Sequence, residues 1–388
     1  MVVYVTTQGS RIIREGRHLL VKKGDDTYNT LFIYKLEQLV LFGNISLTPP
    51  ALKLLLRENI DTVFLRLDGR YQGRLAAAEP KNVFLRKRQF ALTDDSGFCL
   101  RVARNIVFGK LINMATVAQR IQRTRDAKFA GEVAGQIRLV IRRLDAATSL
   151  DELRGMEGHA SALYFSALRL GFDKDWGFRK RMRRPPTDPV NSILSLLYTF
   201  IMNRAYAAVR IAGLDPYPGV FHALDYGRHS LPLDLVEEFR SIIADTLTLA
   251  LFNLGVVKEG DFYQVEPPPR LIEDCGDTLI DSACNDALGR MTMDDEDEDE
   301  DVFDLPEQQM SDVTGDEAEV RDARRAVKLY PPAFGRVLKS FEKKIMTEFY
   351  HPLAGKKMNY AEAMIFQARH FRQVIEGEAA EYQPLLLK

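Results

Sequence analysis

Near residue 100 the apolar side chains of this chain change period, so one kind of secondary structure cannot serve both halves. Before that point, short alternating runs at 1–7, 11–14 and 18–22 are broken by Gly9 and Gly16 at hairpin spacing. Apolar stretches at 36–42 and 62–67 read as further strands, the second running into an Asp68-Gly69-Arg70 turn. Between them Thr48-Pro49-Pro50 opens a helix over 51–57, because proline in the first helical turn gives up a donor that would be unpaired anyway. Residues 1–95 are therefore predicted to form a small twisted sheet with one helix against it.

From 101 onward apolar residues recur every three or four positions, as in Ile106, Leu111, Met114, Val117 and Ile121 and again in Ile137, Val140 and Ile141. A helix over 150–170 carries Leu153, Met156, Ala160, Leu163 and Ala167 on one stripe. The prolines of 184–189 break the pattern, since each removes a donor and biases the preceding residue away from helix. Helices at 191–212, 232–254, 336–349 and 360–375 complete an α+β chain, a β-rich part followed by a larger all-helical one at 101–388. The exception is 266–319, where a proline triplet and eight consecutive acids at 294–301 predict an acidic, mobile insert.

Composition narrows the function. With 388 residues, 46% of them hydrophobic, the chain buries a large core, yet no uninterrupted apolar run nears the roughly 18 residues of a membrane span. The first residues lack the charged and apolar regions of a signal peptide. Cys99, Cys275 and Cys284 are too few and too scattered for a disulfide framework or a zinc knuckle, so a reducing, cytoplasmic setting is expected. The net charge of −1 hides an asymmetry: residues 101–184 hold 18 Lys and Arg against 8 Asp and Glu. A basic middle of that kind points to a polyanionic partner. Arg179, Lys180, Arg181, Arg183 and Arg184, beside Trp176 and Phe178, are its densest part and are candidates for phosphate contacts.

The chemistry-bearing residues lie in two places. Glu157, flanked by Gly155 and Gly158 on an apolar helix, is costly to bury unless it is paired or bound to a cation. His222 follows the Pro216-Tyr217-Pro218 turn and precedes Leu233-Asp234-Leu235-Val236-Glu237-Glu238-Phe239-Arg240. Asp234 lies three residues from Glu237 and four from Glu238, so spacing allows either glutamate to share its face. Asp234 itself reads equally as a helix cap. One imidazole with two or three carboxylates is a ligand set suited to Mg²⁺ or Mn²⁺. His159 and His229 are weaker candidates for proton transfer near a phosphate.

Taken in order, Glu157, the phrase Arg184-Pro185-Pro186-Thr187-Asp188-Pro189-Val190-Asn191, His222 and residues 233–240 closely resemble the family of CRISPR-associated protein one. The resemblance extends to Gly43-Asn44-Ile45-Ser46, Phe366-Gln367-Ala368-Arg369 and Tyr382-Gln383-Pro384, and so covers nearly the whole chain except 266–319. It implies an N-terminal β-domain that dimerises and a helical catalytic domain. Glu157, His222 and Glu237 would be metal ligands, with Asp234 as an auxiliary acid. The implied activity is a Mg²⁺- or Mn²⁺-dependent endonuclease and integrase acting on double-stranded DNA. In that family two dimers flank a dimer of the small CRISPR-associated protein two and insert short duplexes into a repeat array. Two other readings compete: a non-catalytic architectural DNA-binding adaptor, and a transposon-type integrase. The latter would usually carry a further C-terminal DNA-binding domain, whereas this sequence stops shortly after Tyr382-Gln383-Pro384. The acidic run, set against the basic segment, also suggests autoinhibition of DNA binding.

Overall fold

From β1 (Val2–Val5) the chain runs through β2 (Arg11–Glu15), β3 (His18–Lys23), β4 (Asp26–Phe32), β5 (Gln38–Phe42), β6 (Ser46–Leu47), α1 (Pro49–Arg57), β7 (Asp61–Leu65) and β8 (Tyr71–Leu75). The computed structural model describes residues 2–24, 26–66, 71–75, 82–182, 185–265 and 326–387. The Asp68-Gly69-Arg70 turn, Arg183, Arg184, Cys275, Cys284 and the acidic stretch at 294–301 lie outside the described residues.

The strands form two four-stranded sheets rather than one, in the orders β1-β5-β7-β8 and β4-β3-β2-β6. Gly16 does turn an antiparallel hairpin between β2 and β3. Gly9 does not: β1 pairs in parallel with β5, and the chain crosses to the second sheet before β2. Strand β4, which reads as polar and was not expected from alternation, is an edge strand whose side chains largely face solvent.

Strand β5 explains how the two halves are joined. It is buried on both faces, as a parallel central strand requires. Leu39 and Leu41 pack with Leu54, Leu55 and Ile12 in a small N-terminal core. Val40 and Phe42 face the other way and enter the large helical core with Val63 and Leu65. Phe42 meets Phe334 edge-on at 5.0 Å between ring centroids, so the first sheet is a wall shared by two cores.

The helical part comprises α2 (Val83–Thr93), α3 (Ser96–Arg125), α4 (Lys128–Ile141), α5 (Leu150–Leu168), α6 (Pro189–Ile211), α7 (Ser230–Phe239) and α8 (Thr246–Asn253). Beyond them come β9 (Phe262–Val265), β10 (Ala326–Leu329), α9 (Pro331–Ile345), β11 (Glu348–His351), β12 (Lys356–Asn359) and α10 (Tyr360–Glu376). Helix already begins at Val83, inside the span expected to be β-rich, and Phe349 belongs to a strand rather than to the preceding helix. Residues 230–253 are not one regular helix, because a wider π-helical turn at Arg240–Asp245 separates α7 from α8. Helix α6 is long and apolar enough to cross a membrane by length and composition, which counting uninterrupted apolar runs does not reveal. Here it is a core helix packed against α7 and α10, with Asn191, Asn203 and Arg204 buried along it.

Candidate metal centre

Glu157 is delivered by α5. Ser149 caps that helix by accepting the amide of Glu152 at 3.2 Å, which sets the phase of everything after it. The buried stripe is Leu153, Glu157, Ala160, Tyr164 and Ala167, so the carboxylate takes a core position and Met156 and Leu163 flank it half-buried. Lys110 of α3 places its Nζ 2.5 Å from Glu157 Oε1, and Ser161 Oγ donates to the same oxygen at 2.6 Å.

The second part of the centre is folded around Asp234. This fully buried carboxylate does not cap α7; it accepts the backbone amides of Val220, Phe221 and His222 at 2.6, 3.1 and 2.9 Å. Its Oδ1 also pairs with Nδ1 of His222 at 2.7 Å, which orients the ring with Nε2 toward Glu237. That Nε2 lies 3.9 Å from Glu237 Oε1. The loop comes this close only because residue 219 is glycine: a Cβ there would stand 2.7 Å from Asp234 Oδ2 and 2.9 Å from the Ser230 carbonyl carbon. Arg154 of α5 donates to the Phe221 carbonyl at 2.8 Å, fastening the His222 loop to the helix that bears Glu157.

Glu237 is 2% exposed and faces three cationic or ionisable groups: Lys110 Nζ at 2.5 Å, Arg240 at 3.0 Å and His222. Burial alone would raise its pKa, but Arg240, Lys110 and His222 outweigh burial and hold the carboxyl down at about 2. Glu238 points the opposite way. It accepts Tyr382 Oη at 2.6 Å, Gln367 Nε2 at 3.1 Å and the Leu385 amide, anchoring the C-terminal segment. Burial pushes its carboxyl up to about 7. Its neighbour in that anchor is Asn113, which donates to the carbonyls of Glu238 and Leu385.

Behind the centre, the π turn brings Asp245 against two phenols, Tyr164 at 2.8 Å and Tyr198 at 2.7 Å. Burial raises the Asp245 carboxyl to about 6. Arg240 and Arg181 each hold a guanidinium 5.2 Å from the centroid of the Tyr198 ring, so the cation next to Glu237 is itself positioned by this cluster.

Among the described residues no three His, Cys, Asp or Glu side chains already close on one point as a metal cluster would. The structure instead brings Glu157 and Glu237 together around the Lys110 ammonium, with Nε2 of His222 beside Glu237. Carboxylates from two helices thus already converge on one positive charge. Two carboxylate donors and one imidazole nitrogen also form the donor set that Mg²⁺ or Mn²⁺ accepts. The residues therefore fit a divalent cation in donor type and charge. Sequence reasoning missed Lys110, Arg154, Ser161, Asn113 and Arg240. The signal available was Lys110 and Asn113 standing as polar residues within the apolar face of Ile106, Val107, Leu111 and Met114.

The basic segment is less uniform than its composition suggests. Arg179 is exposed and paired with Asp175 at 2.6 Å, and Lys180 is exposed. Arg181 turns inward to Asn191 Oδ1 at 2.9 Å and Ser195 Oγ at 3.0 Å. Trp176 and Phe178 are core residues, Trp176 lying edge-on to Phe252 at 4.6 Å, so neither offers a face to a base. His159 is exposed.

His229 sits between Tyr206 and Tyr217, with both ring centroids 4.8 Å away. Burial, then the nearby Arg74 charge, pushes its imidazole down to about 4. The unfolded chain takes up this proton near pH 6.5 whereas the folded one resists until about 4, so the contribution is intact above 6.5 and is lost as pH falls. Denaturant titrations at pH 7.5 and 4.5 should show roughly 2 kcal/mol less acid destabilisation in His229→Phe than in the wild type. An identical pH dependence in the two proteins would remove this role.

The same overall architecture occurs in solved structures. A casposase bound to integration product aligns with a TM-score of 0.74 at 16% identity, covering 98% of this chain and 92% of that one. A Cas1 protein from Thermotoga maritima gives 0.72 at 17% identity over the full length of both chains. A Cas6-RT-Cas1–Cas2 complex gives 0.74 at 21% identity, with 99% of this chain spanning 36% of the longer one. The fold is the one that Cas1 and casposase chains share.

Sequence comparison goes further. The family model for CRISPR associated protein Cas1 matches residues 3–282. A CRISPR-associated endonuclease Cas1 of Thermus thermophilus is 30% identical over 391 aligned residues, covering 100% of this chain and 97% of the relative. One from Chlorobaculum tepidum is 34% identical over 267 residues, or 67% of this chain and 78% of its own length. The chain belongs to the Cas1 family of CRISPR-associated endonucleases.

Proposed function

We propose that this chain is a divalent-metal-dependent DNA endonuclease and integrase of CRISPR adaptation. It would join the 3′-hydroxyl of a short duplex to a phosphodiester of a repeat array. The observation that carries the reading is the convergence of buried Glu157 and Glu237 on one cation, beside Nε2 of His222. Those three residues would hold Mg²⁺ or Mn²⁺. When bound, the ion would polarise the scissile phosphate and stabilise the charge that grows on its oxygens. Asp234 orients the His222 ring through Nδ1, and a neutral ring with its proton there would offer Nε2 to the ion. Ser161 donates to the Glu157 oxygen that Lys110 also contacts, and Arg240 pairs with the Glu237 oxygen that Lys110 does not. Exchange of one phosphodiester for another needs no ATP, and with water as nucleophile the same centre is an endonuclease.

Arg179 and Lys180 remain the exposed candidates for backbone contacts to double-stranded DNA, read through phosphate rather than base. By analogy with the Cas1–Cas2 complex and with the casposase bound to integration product, the working assembly would join Cas2 on DNA; that it is a cytoplasmic homodimer is the expectation that the family resemblance and the scattered cysteines carry. The test is a supercoiled plasmid bearing repeats, incubated with this chain, its Cas2 partner and a labelled 3′-hydroxyl duplex. Label should join the plasmid with Mn²⁺ or Mg²⁺ and not with EDTA or a 3′-blocked duplex. Binding that ignores EDTA, with no joining under any condition, would make the protein an architectural adaptor instead.

A further inference from the structure

Lys110 has no place in the function described so far, yet it occupies the middle of the centre. Its side chain is 8% exposed, and its Nζ lies 2.5 Å from an oxygen of each carboxylate. The carboxylates come from different helices, α5 and α7, so nothing local holds them together. Two buried anions at such a separation repel strongly in a medium of low dielectric constant. An ammonium between them offsets that repulsion and fixes the spacing.

The backbone under Lys110 is clamped from its other side. Gly109 packs so tightly on the C-terminal segment that a Cβ there would lie 2.3 Å from Pro384 Cβ. One turn on, Asn113 accepts the Leu387 amide at 2.6 Å and donates to the carbonyls of Glu238 and Leu385. The helix cannot retreat, so only the flexible four-carbon stem of the lysine is free to move. The geometry therefore differs from an ordinary structural ion pair: the cation sits on a movable arm, and the anions sit on a fixed frame.

We propose that Lys110 is an internal counter-cation that holds Glu157 and Glu237 in place without metal, and that a divalent ion enters by displacing its ammonium from both carboxylates. The proposal rests on the metal-centre reading above and assigns it a built-in competitor. A site of this design stays assembled while empty of metal and sets a threshold concentration that the ion must exceed. Because ammonium and metal exclude one another, each lowers the apparent affinity for the other.

The experiment compares wild type, Lys110→Met and Glu157→Gln by calorimetric titration with Mn²⁺ and by thermal melting with EDTA or excess Mn²⁺. In EDTA, Lys110→Met should melt roughly 5 °C below wild type, because two buried carboxylates lose their shared partner. Its Mn²⁺ affinity should be tighter by roughly tenfold, within the range of antagonistic coupling, and excess Mn²⁺ should recover most of the lost Tm. Lys110→Gln, which keeps a hydrogen-bond donor without the charge, gives the same comparison should the Met variant not fold. Wild-type binding that Glu157→Gln abolishes, combined with unchanged or weaker affinity in both Lys110 variants, overturns the competitor role and leaves the metal centre standing. A wild type that binds no Mn²⁺ overturns the metal centre and this proposal with it.

Discussion

Glu157→Gln is expected to lower DNA cleavage and strand joining on the order of a thousandfold, the upper end of what losing one preorganised electrostatic group costs. The substitution keeps shape: the carboxamide oxygen still accepts from Ser161, which donates to the native oxygen at 2.6 Å. It removes one of the two negative charges that face the Lys110 ammonium, and Glu237 retains that contact. The chain should therefore fold, and its affinity for duplex DNA should stay within about threefold, because the proposed phosphate contacts lie on the surface and not at this buried carboxylate. His222→Ala should lose activity comparably, since it deletes the nitrogen next to Glu237. Plasmid nicking, strand joining and gel-shift binding measured on the same preparations separate the outcomes. Full cleavage by either variant would place the reacting centre elsewhere.

Asp234→Asn is expected to be strongly destabilising, although the two side chains are nearly the same size. Asp234 receives four hydrogen bonds, from three backbone amides and from the His222 ring. A carboxamide presents one acceptor oxygen, and its NH₂ must face donors on the other side. At least two buried N–H groups lose their acceptor, at about 1–3 kcal/mol each, so a total near 3–5 kcal/mol is expected. For a chain of this size that is a fall in Tm of roughly 5 °C. Activity should fall as well, because the ring loses the partner that orients it. A Tm within about 2 °C of wild type would show that the loop is held by something other than this carboxylate. The close approach at Gly219 closes the obvious escape: with Ser230 backbone on the other side, the loop has no room to settle around a repositioned side chain.

The legible and illegible parts of this protein divide along physical lines. The change from alternating to helical period was visible because burial of one face leaves a periodic mark in a linear string, and the α+β architecture follows from it. Leu39 and Val40 show the limit of that signal. A strand buried on both faces carries no alternation, so the wall between two cores could not be seen, nor could the parallel pairing of β1 with β5. The π turn at Arg240–Asp245 was likewise hidden, since nothing in its residue types announces one extra residue per turn.

The centre divides in the same way. Sequence alone supplied the chemical types, a glutamate on an apolar helix and an imidazole ahead of an acid-rich one. With the resemblance to the family it also supplied the names Glu157, His222 and Glu237. Spacing alone left Glu237 and Glu238 equivalent, because positions three and four residues from Asp234 are both its neighbours on a helix. The resemblance chose Glu237, and the tertiary structure gives the physical difference, turning Glu237 toward Lys110 and Arg240 and Glu238 toward Tyr382, Gln367 and Leu385. The same holds for Asp234, which reads as a cap in sequence and in space is the buried acceptor that folds the His222 loop. Periodicity records which face of an element is buried, whereas the partner that a buried charge meets comes from an element far away in the chain. Lys110 and Glu157, 47 residues apart, become neighbours only when α3 and α5 pack.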